Sequence, residues 1–310
     1  MNRDPPLHVK RQLRKEVNYG CPVPGCGKPF LEWHHFDPPW HVRNHHDLSG
    51  VIALCTEHHP QADAGVFSVE QLRDFKRNPN NRELVCGKFE WMPENCIIRL
   101  GGNYAPDRCR VSVGGEDVIR VEKSESEMND VSFTLRDEAG VEFAKMAENV
   151  FTCDTSTVHD LAISSSANRI KIWHERRKVG FECHYSRKSI EDVEKLIQLD
   201  CEALKQPPKP IENIPAFYEQ LFEIDNYKKD GLAIGWRRRD PVGTYLRWHV
   251  IKHRGKDGQI PLLDFSYCRL FGGDGKSIQL GRRRIRTSNR ELGCSVNTVM
   301  AFNLGNSFSF

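Results

Sequence analysis

The 310-residue sequence contains no run of about 18 apolar residues, so no helix in it is expected to span a membrane. Its opening, Met1-Asn2-Arg3-Asp4-Pro5-Pro6, lacks the apolar stretch of a secretory signal. There is no internal repeat and no long low-complexity tract. The net charge of +3 is too small to name a partner. Paired cysteine spacing is also scarce: eight of the 11 cysteines are scattered from Cys86 to Cys294. An odd cysteine count and no signal segment argue against a disulfide framework and for a reducing, cytoplasmic setting. With 38% hydrophobic and 28% charged residues, wholesale disorder is excluded. The length exceeds the roughly 250 residues at which single cores stop growing, so two or three domains are expected.

The periodicity divides the chain in three. Val9, Leu13 and Val17 recur at helical spacing and predict an amphipathic helix ending at Gly20. Leu31 to Phe36 reads as a short strand, broken by Asp37-Pro38-Pro39, because neither proline can join a central ladder. Trp40 to Ser49 is polar and His-rich, hence a loop; Val51 to Leu54 is a buried strand or helix start. Ser68 and Gln71 have the spacing of a capping box ahead of Leu72 and Phe75. From about residue 84 short apolar runs alternate with polar residues (Ile97 to Leu100, Arg110 to Val113, Val118 to Val121, Val131 to Leu135, Ile170 to Trp173, Phe181 to His184), as in half-buried antiparallel strands. A helix is expected from Ser189 to Leu204, then a stiff linker, Gln206 to Pro210. A short helical stretch (Pro215 to Phe222) follows, and strands resume near Leu232, Thr244 and Ile278. The expected class is α+β, with an N-terminal domain at 1–82, a β-rich domain at 83–205 and a basic, mainly β domain at 211–310.

Seven of the 13 histidines fall between His34 and His59, where Cys21, Cys26 and Cys55 also lie. Cys21-x4-Cys26, then 28 residues, then Cys55-x2-His58 presents two pairs of soft ligands on short turns, which can close on one tetrahedral Zn²⁺. Such a thiolate-rich shell is structural, since it leaves no open position. A second set interleaves with it. His34 and His35 are adjacent, so on a strand they point to opposite faces: one can hold metal while the other faces a water. His59 and Asp63 stand one helical turn apart and can reach one ion together. A divalent ion on few protein ligands can grip a phosphate, and an imidazole with a pKa near ~6.5 can deprotonate the attacking water.

Cys21-x4-Cys26, Glu32-Trp33-His34-His35-Phe36 and Leu54-Cys55-x2-His58-His59 together resemble the HNH (ββα-metal) endonucleases in their zinc-stapled form, over about residues 10–80. The resemblance implies a small ββα-metal domain that hydrolyses phosphodiesters, DNA rather than RNA, in a restriction or antiviral-defence setting. By it, His35 is the general base and His34 and His59, with Asp63, hold the catalytic ion, Mg²⁺ or a transition metal. Cys21, Cys26, Cys55 and His58 are the structural zinc ligands, with His58 where the family usually has Cys. The family's middle Asn falls at Gly50; Asn44 or Asp47 can orient His35 instead, and Asn44 is preferred.

Charge is uneven. From Gly231 to Phe310 there are 14 Lys and Arg against 5 Asp and Glu, a net of +9, which leaves −6 for the first 230 residues. Arg237, Arg238, Arg239, Arg282, Arg283 and Arg284 lie there beside Trp236, Tyr245 and Trp248, a mixture suited to a nucleic-acid backbone. The expectation is a metal-dependent endonuclease acting on nucleic acid, with oligomerisation open. The alternative is a catalytically silent zinc module that only binds nucleic acid, in which His34, His35 and His59 are surplus. A third reading makes the zinc module a clip on a β-rich sensor or scaffold.

Overall fold

Among the described residues, the chain from Leu84 onward is mainly strand, and the region before it mixes helix with sheet. The computed structural model describes residues 2–79, 84–91, 96–101, 103–106, 109–113, 116–123, 129–189, 191–193, 195, 196, 199, 258–273, 277–281, 285–287 and 294–297. In chain order the main elements are helix α1 (Leu7–Glu16), strands β1 (Leu31–His35) and β2 (Val51–Cys55), helices α2 (His58–Asp63) and α3 (Val69–Arg77), then mostly strands. These are β3 (Leu84–Lys88), β4 (Ile97–Leu100), β5 (Asn103–Pro106), β6 (Cys109–Val113), β7 (Glu116–Lys123), β8 (Asn129–Arg136), β9 (Glu142–Ala147) and β10 (Val150–Asp154). After them come β11 (Asp160–Ile163), β12 (Arg169–Glu175), β13 (Lys178–Ser189), β14 (Gln259–Phe271), β15 (Ser277–Leu280), β16 (Ile285–Thr287) and β17 (Cys294–Asn297). The fold is α+β: a small helix-and-strand region followed by a β-rich one.

The first of two compact units contains residues 1–91 and 132–182. Its N-terminal part is an antiparallel pair, β1 against β2, with Leu31 opposite Cys55 and His35 opposite Val51. Every residue of β2 is buried, as a strand covered on both faces must be. Leu13 of α1, Phe36, Ile52, Leu54 and Leu72 of α3 form the core here. Burying each such side chain contributes about 1.5–3 kcal/mol, so this region has a core of its own beyond its metal ligands. The predicted capping box is present: Gln71 N–H donates to Ser68 Oγ (3.2 Å), and Ser68 N–H donates to Gln71 Oε1 (2.8 Å).

In the same unit β3, β10, β9 and β8 pair antiparallel in that order, and β11 pairs with β12. Alternation sets the faces: Ile170 and Ile172 of β12 turn inward, as do Phe151 and Cys153 of β10. Helix α1 is fastened to β11 by an ion pair. Arg14 on α1 grips Asp160 with both ends of its guanidinium, Nη2 to Oδ2 at 2.7 Å and Nε to Oδ1 at 3.2 Å. Arg11 Nε adds a third bond at 2.9 Å. Asp160 is fully buried, so its charge is tolerated only because both arginines meet it.

The second unit contains residues 92–131 and 183–310. Here β17, β6 and β7 pair antiparallel. Around β14 the order is β5-β4-β14-β15-β16. Antiparallel pairing was expected throughout, yet β4 lies parallel to β14, with Arg99 opposite Asp264 and bonded to it at 2.8 Å. The two strands are more than 150 residues apart in sequence, and parallel neighbours need such a crossover rather than a hairpin. The linker, the short helical stretch and the strands expected near Leu232 and Thr244 lie outside the described residues, as does most of the helix expected after Ser189.

Candidate functional site

A tight turn and a strand end assemble the first cluster. After α1 the chain reverses at Gly20, where a Cβ would approach the Gly27 carbonyl oxygen to 2.7 Å. Cys21 N–H donates to the Lys28 carbonyl (2.9 Å), and Gly27 N–H donates back to the Cys21 carbonyl (3.1 Å). This places Cys21 and Cys26 opposite Cys55, the last residue of β2, and His58, the first of α2. The four ligand atoms lie within 4.8 Å of one another. Cys26 Sγ to Cys55 Sγ is 3.7 Å, Cys21 Sγ to His58 Nδ1 is 3.4 Å and Cys55 Sγ to His58 Nδ1 is 3.2 Å. Bonds of about 2.0–2.3 Å to a tetrahedral zinc put neighbouring ligand atoms about 3.5–3.8 Å apart, so the Cys3His shell fits a metal such as zinc. The thiols also compete for protons. A bond from Cys21 holds the Cys55 thiol down to about 4, and the same bond, with burial, pushes Cys21 up. A divalent cation at the centre favours all three as thiolates.

The second cluster joins β1 to α2. His34, His59 and Asp63 also bring their ligand atoms within 4.8 Å of one another. His34 Nδ1 lies 3.1 Å from Asp63 Oδ1, and His59 Nδ1 lies 3.4 Å from Asp63 Oδ2. The imidazoles meet edge to face, centroids 5.5 Å apart. His34 Nδ1 is buried, with the Asp63 carboxylate beside it. Burial lowers the His34 pKa against the pull of Asp63, which keeps a lone pair free for a cation. Glu32, two residues before His34 and so on the same face of β1, reaches His59 at 3.5 Å. The strand alternation carried that signal, but no role was drawn from it.

His35 belongs to a separate group. Its ring lies against Trp40 (4.8 Å between centroids), His45 (5.4 Å) and His46 (5.7 Å). His35 Nε2 is 3.5 Å from His46 Nδ1, whereas His35 Nδ1 is buried without a hydrogen-bond partner among the described residues. Burial first, then the neighbouring imidazoles of His45 and His46, holds the His35 pKa down to about 4, below the ordinary imidazole value expected from the sequence. The ring is therefore neutral near pH 7. His45, in turn, is fixed in orientation: Asp47 N–H donates to its Nδ1 (3.1 Å) and its Nε2 donates to the Pro38 carbonyl (2.8 Å). Asn44 is exposed and donates to the Trp40 carbonyl (3.2 Å), so His45 and His46, not Asn44, stand against His35. Asp47 pairs with Arg43 at 2.5 Å.

Gly50 closes the loop that carries these rings. Its carbonyl accepts from Phe36 N–H (2.9 Å) and Asp37 N–H (3.2 Å). A Cβ at this position would run into the Asp37 carbonyl oxygen and come within 2.8 Å of His45 Cε1. The family's Asn cannot occupy this backbone crossing, and the loop is held by main-chain bonds instead. His34 and His35, although they serve different groups, both line one cleft of about 330 Å³ with Arg3, Trp40, Phe67 and Asp63. Arg3 was not anticipated; nothing in the local pattern marks it. Arg237, Arg238, Arg239, Arg282, Arg283 and Arg284 lie outside the described residues. In comparisons with known proteins the chain matches no family model, no curated protein and no solved structure.

Proposed function

We propose that the protein is a metal-dependent endonuclease of the HNH type, hydrolysing phosphodiester bonds in nucleic acid, DNA before RNA. The carrying observation is that His34, His59 and Asp63 bring their ligand atoms within 4.8 Å of one another, while His34, Asp63 and a neutral His35 line one cleft. A module that merely folds around zinc has no use for a second set of converging ligand atoms. Resemblance in Cys-x4-Cys, His34-His35 and Cys55-x2-His58-His59 supports the same conclusion.

In this assignment Cys21, Cys26, Cys55 and His58 hold structural zinc, while His34, His59 and Asp63 hold a divalent catalytic ion. When bound, that ion supplies positive charge to the phosphate and to the leaving oxygen. His35, held neutral on the cleft, accepts the proton of the attacking water through a ring nitrogen. His45 and Trp40 keep its ring from turning. Glu32 holds the His59 ring in place from the β1 side. The preference for DNA over RNA, and a role in defence, rest on the family resemblance rather than on these residues.

Plasmid nicking in Mg²⁺, Mn²⁺, Ni²⁺ or Zn²⁺ tests this directly. The wild type should nick in at least one of them, and His59→Ala should lose activity that rising metal concentration partly restores. Absence of nicking with every metal, or a His59→Ala variant as active as wild type, would leave the zinc-dependent binding module as the better reading.

A further inference from the structure

The cleft lining mixes two kinds of residue. Arg3, His34, His35, His41 and Asp63 are polar. Seven of the twelve lining residues are apolar, with Phe36, Trp40 and Phe67 supplying aromatic faces or edges. Phe36, Ala62 and Leu72 of this lining belong to the hydrophobic core, and Phe67 and Val69 pack on it; Trp40 stands outside that cluster, on the cleft. The capacity of the cleft, about 330 Å³, is near the low end of the roughly 300–1,000 Å³ typical of sites for small organic groups. It therefore has room for one base and not for the side of a duplex.

Trp40 is held in a defined place. It stacks over His46 (5.5 Å, 26° between planes) and meets His35 edge-on (4.8 Å, 60°). An aromatic plane is thus fixed relative to the proposed base, and a nucleotide placed against it is also positioned for attack. In a duplex the faces of the bases are covered by their neighbours; only an unpaired or extruded nucleotide can present one to a protein wall. Arg3 offers the one cationic side chain in the lining that is charged at any working pH, complementary to a phosphate.

We propose that the cleft takes one unstacked nucleotide of the strand being cut, its base against Trp40 and Phe67 and its phosphate between Arg3 and the His34, His59 and Asp63 group. The substrate class is single-stranded or locally unpaired nucleic acid. This rests on the hydrolytic reading above for the position of the phosphate, but not for the recognition of the base.

The test uses the full chain carrying His35→Ala, so that nothing is cut. Fluorescence anisotropy compares a labelled thymidine oligonucleotide, an abasic strand of equal length and a duplex of the same length. The base-bearing single strand should bind about ten-fold or more tightly than the abasic one, the usual scale for loss of base stacking on an aromatic side chain. Adding Trp40→Ala, or in a separate chain Phe67→Leu, should shrink that ratio while zinc content stays at the parent level. In parallel, the wild type should cut a bubble faster than an unbroken duplex. Equal binding of thymidine and abasic strands, or a ratio indifferent to both substitutions, overturns the proposal. Base-dependent binding with no cleavage of any substrate removes the nuclease reading and leaves the cleft assignment standing; duplex cleavage without base dependence does the reverse.

Discussion

His34 Nδ1 on β1 and Asp63 Oδ1 on α2 lie 3.1 Å apart. With His59 they form a ligand set separate from the Cys3His shell. Two classes of metal site should follow. One zinc should resist dialysis, and Cys55→Ser should release it and lower the thermal midpoint, since such shells contribute roughly 10–16 kcal/mol in small modules. A second divalent ion should exchange freely. His34→Ala and Asp63→Ala should abolish the exchangeable site while leaving one zinc per chain. Metal analysis and a Mn²⁺ titration on the same preparations check both statements.

Arg14 and Asp160 supply a prediction about stability alone. Asp160→Ala removes the carboxylate that pairs with the buried Arg14 guanidinium and with Arg11. Breaking one side of a buried pair costs about 3–5 kcal/mol. Urea denaturation should show a loss of that size. Arg14→Met combined with Asp160→Leu should recover most of it, because neither variant side chain then leaves a charge stranded in the interior.

The pH behaviour of His35 can be read independently of any substrate. Its folded pKa, about 4, is below the unfolded value near ~6.5. The unfolded chain therefore binds more protons between those limits, and stability falls as pH drops through that window. The contribution of neutral His35 is complete above about 6.5 and lost on approaching 4. In an NMR titration the His35 ring should remain neutral at pH 6, and the acid-induced loss of stability should be shallower in His35→Ala. A His35 midpoint near 6.5 would contradict the burial and imidazole crowding described here.

Local chemistry made much of the N-terminal region legible. The Ser68–Gln71 capping box, the buried run Val51 to Leu54 and the Cys and His spacing each act within a few residues, and each was readable as such. What escaped was long-range. Asp160 carries no sign that α1 will supply its partners, and Ile97 to Leu100 gives no hint of a parallel neighbour more than 150 residues on. Gly50 looked like a missing family letter; only the crossing of its backbone with Asp37 explains why no side chain fits. His45, one residue beyond Asn44, was hidden because four loop residues offer no periodicity from which to choose a face.

The most direct measurement is the single-turnover rate of strand cleavage by His35→Ala against wild type, at saturating metal and with zinc content verified in both. Loss of a general base lowers such rates by about 10²–10⁴-fold, and added metal cannot replace a proton acceptor. A loss of that size, unrelieved by metal and with nucleic-acid affinity unchanged, is the result predicted from a neutral His35 on the cleft. Cleavage at the wild-type rate in His35→Ala would contradict it.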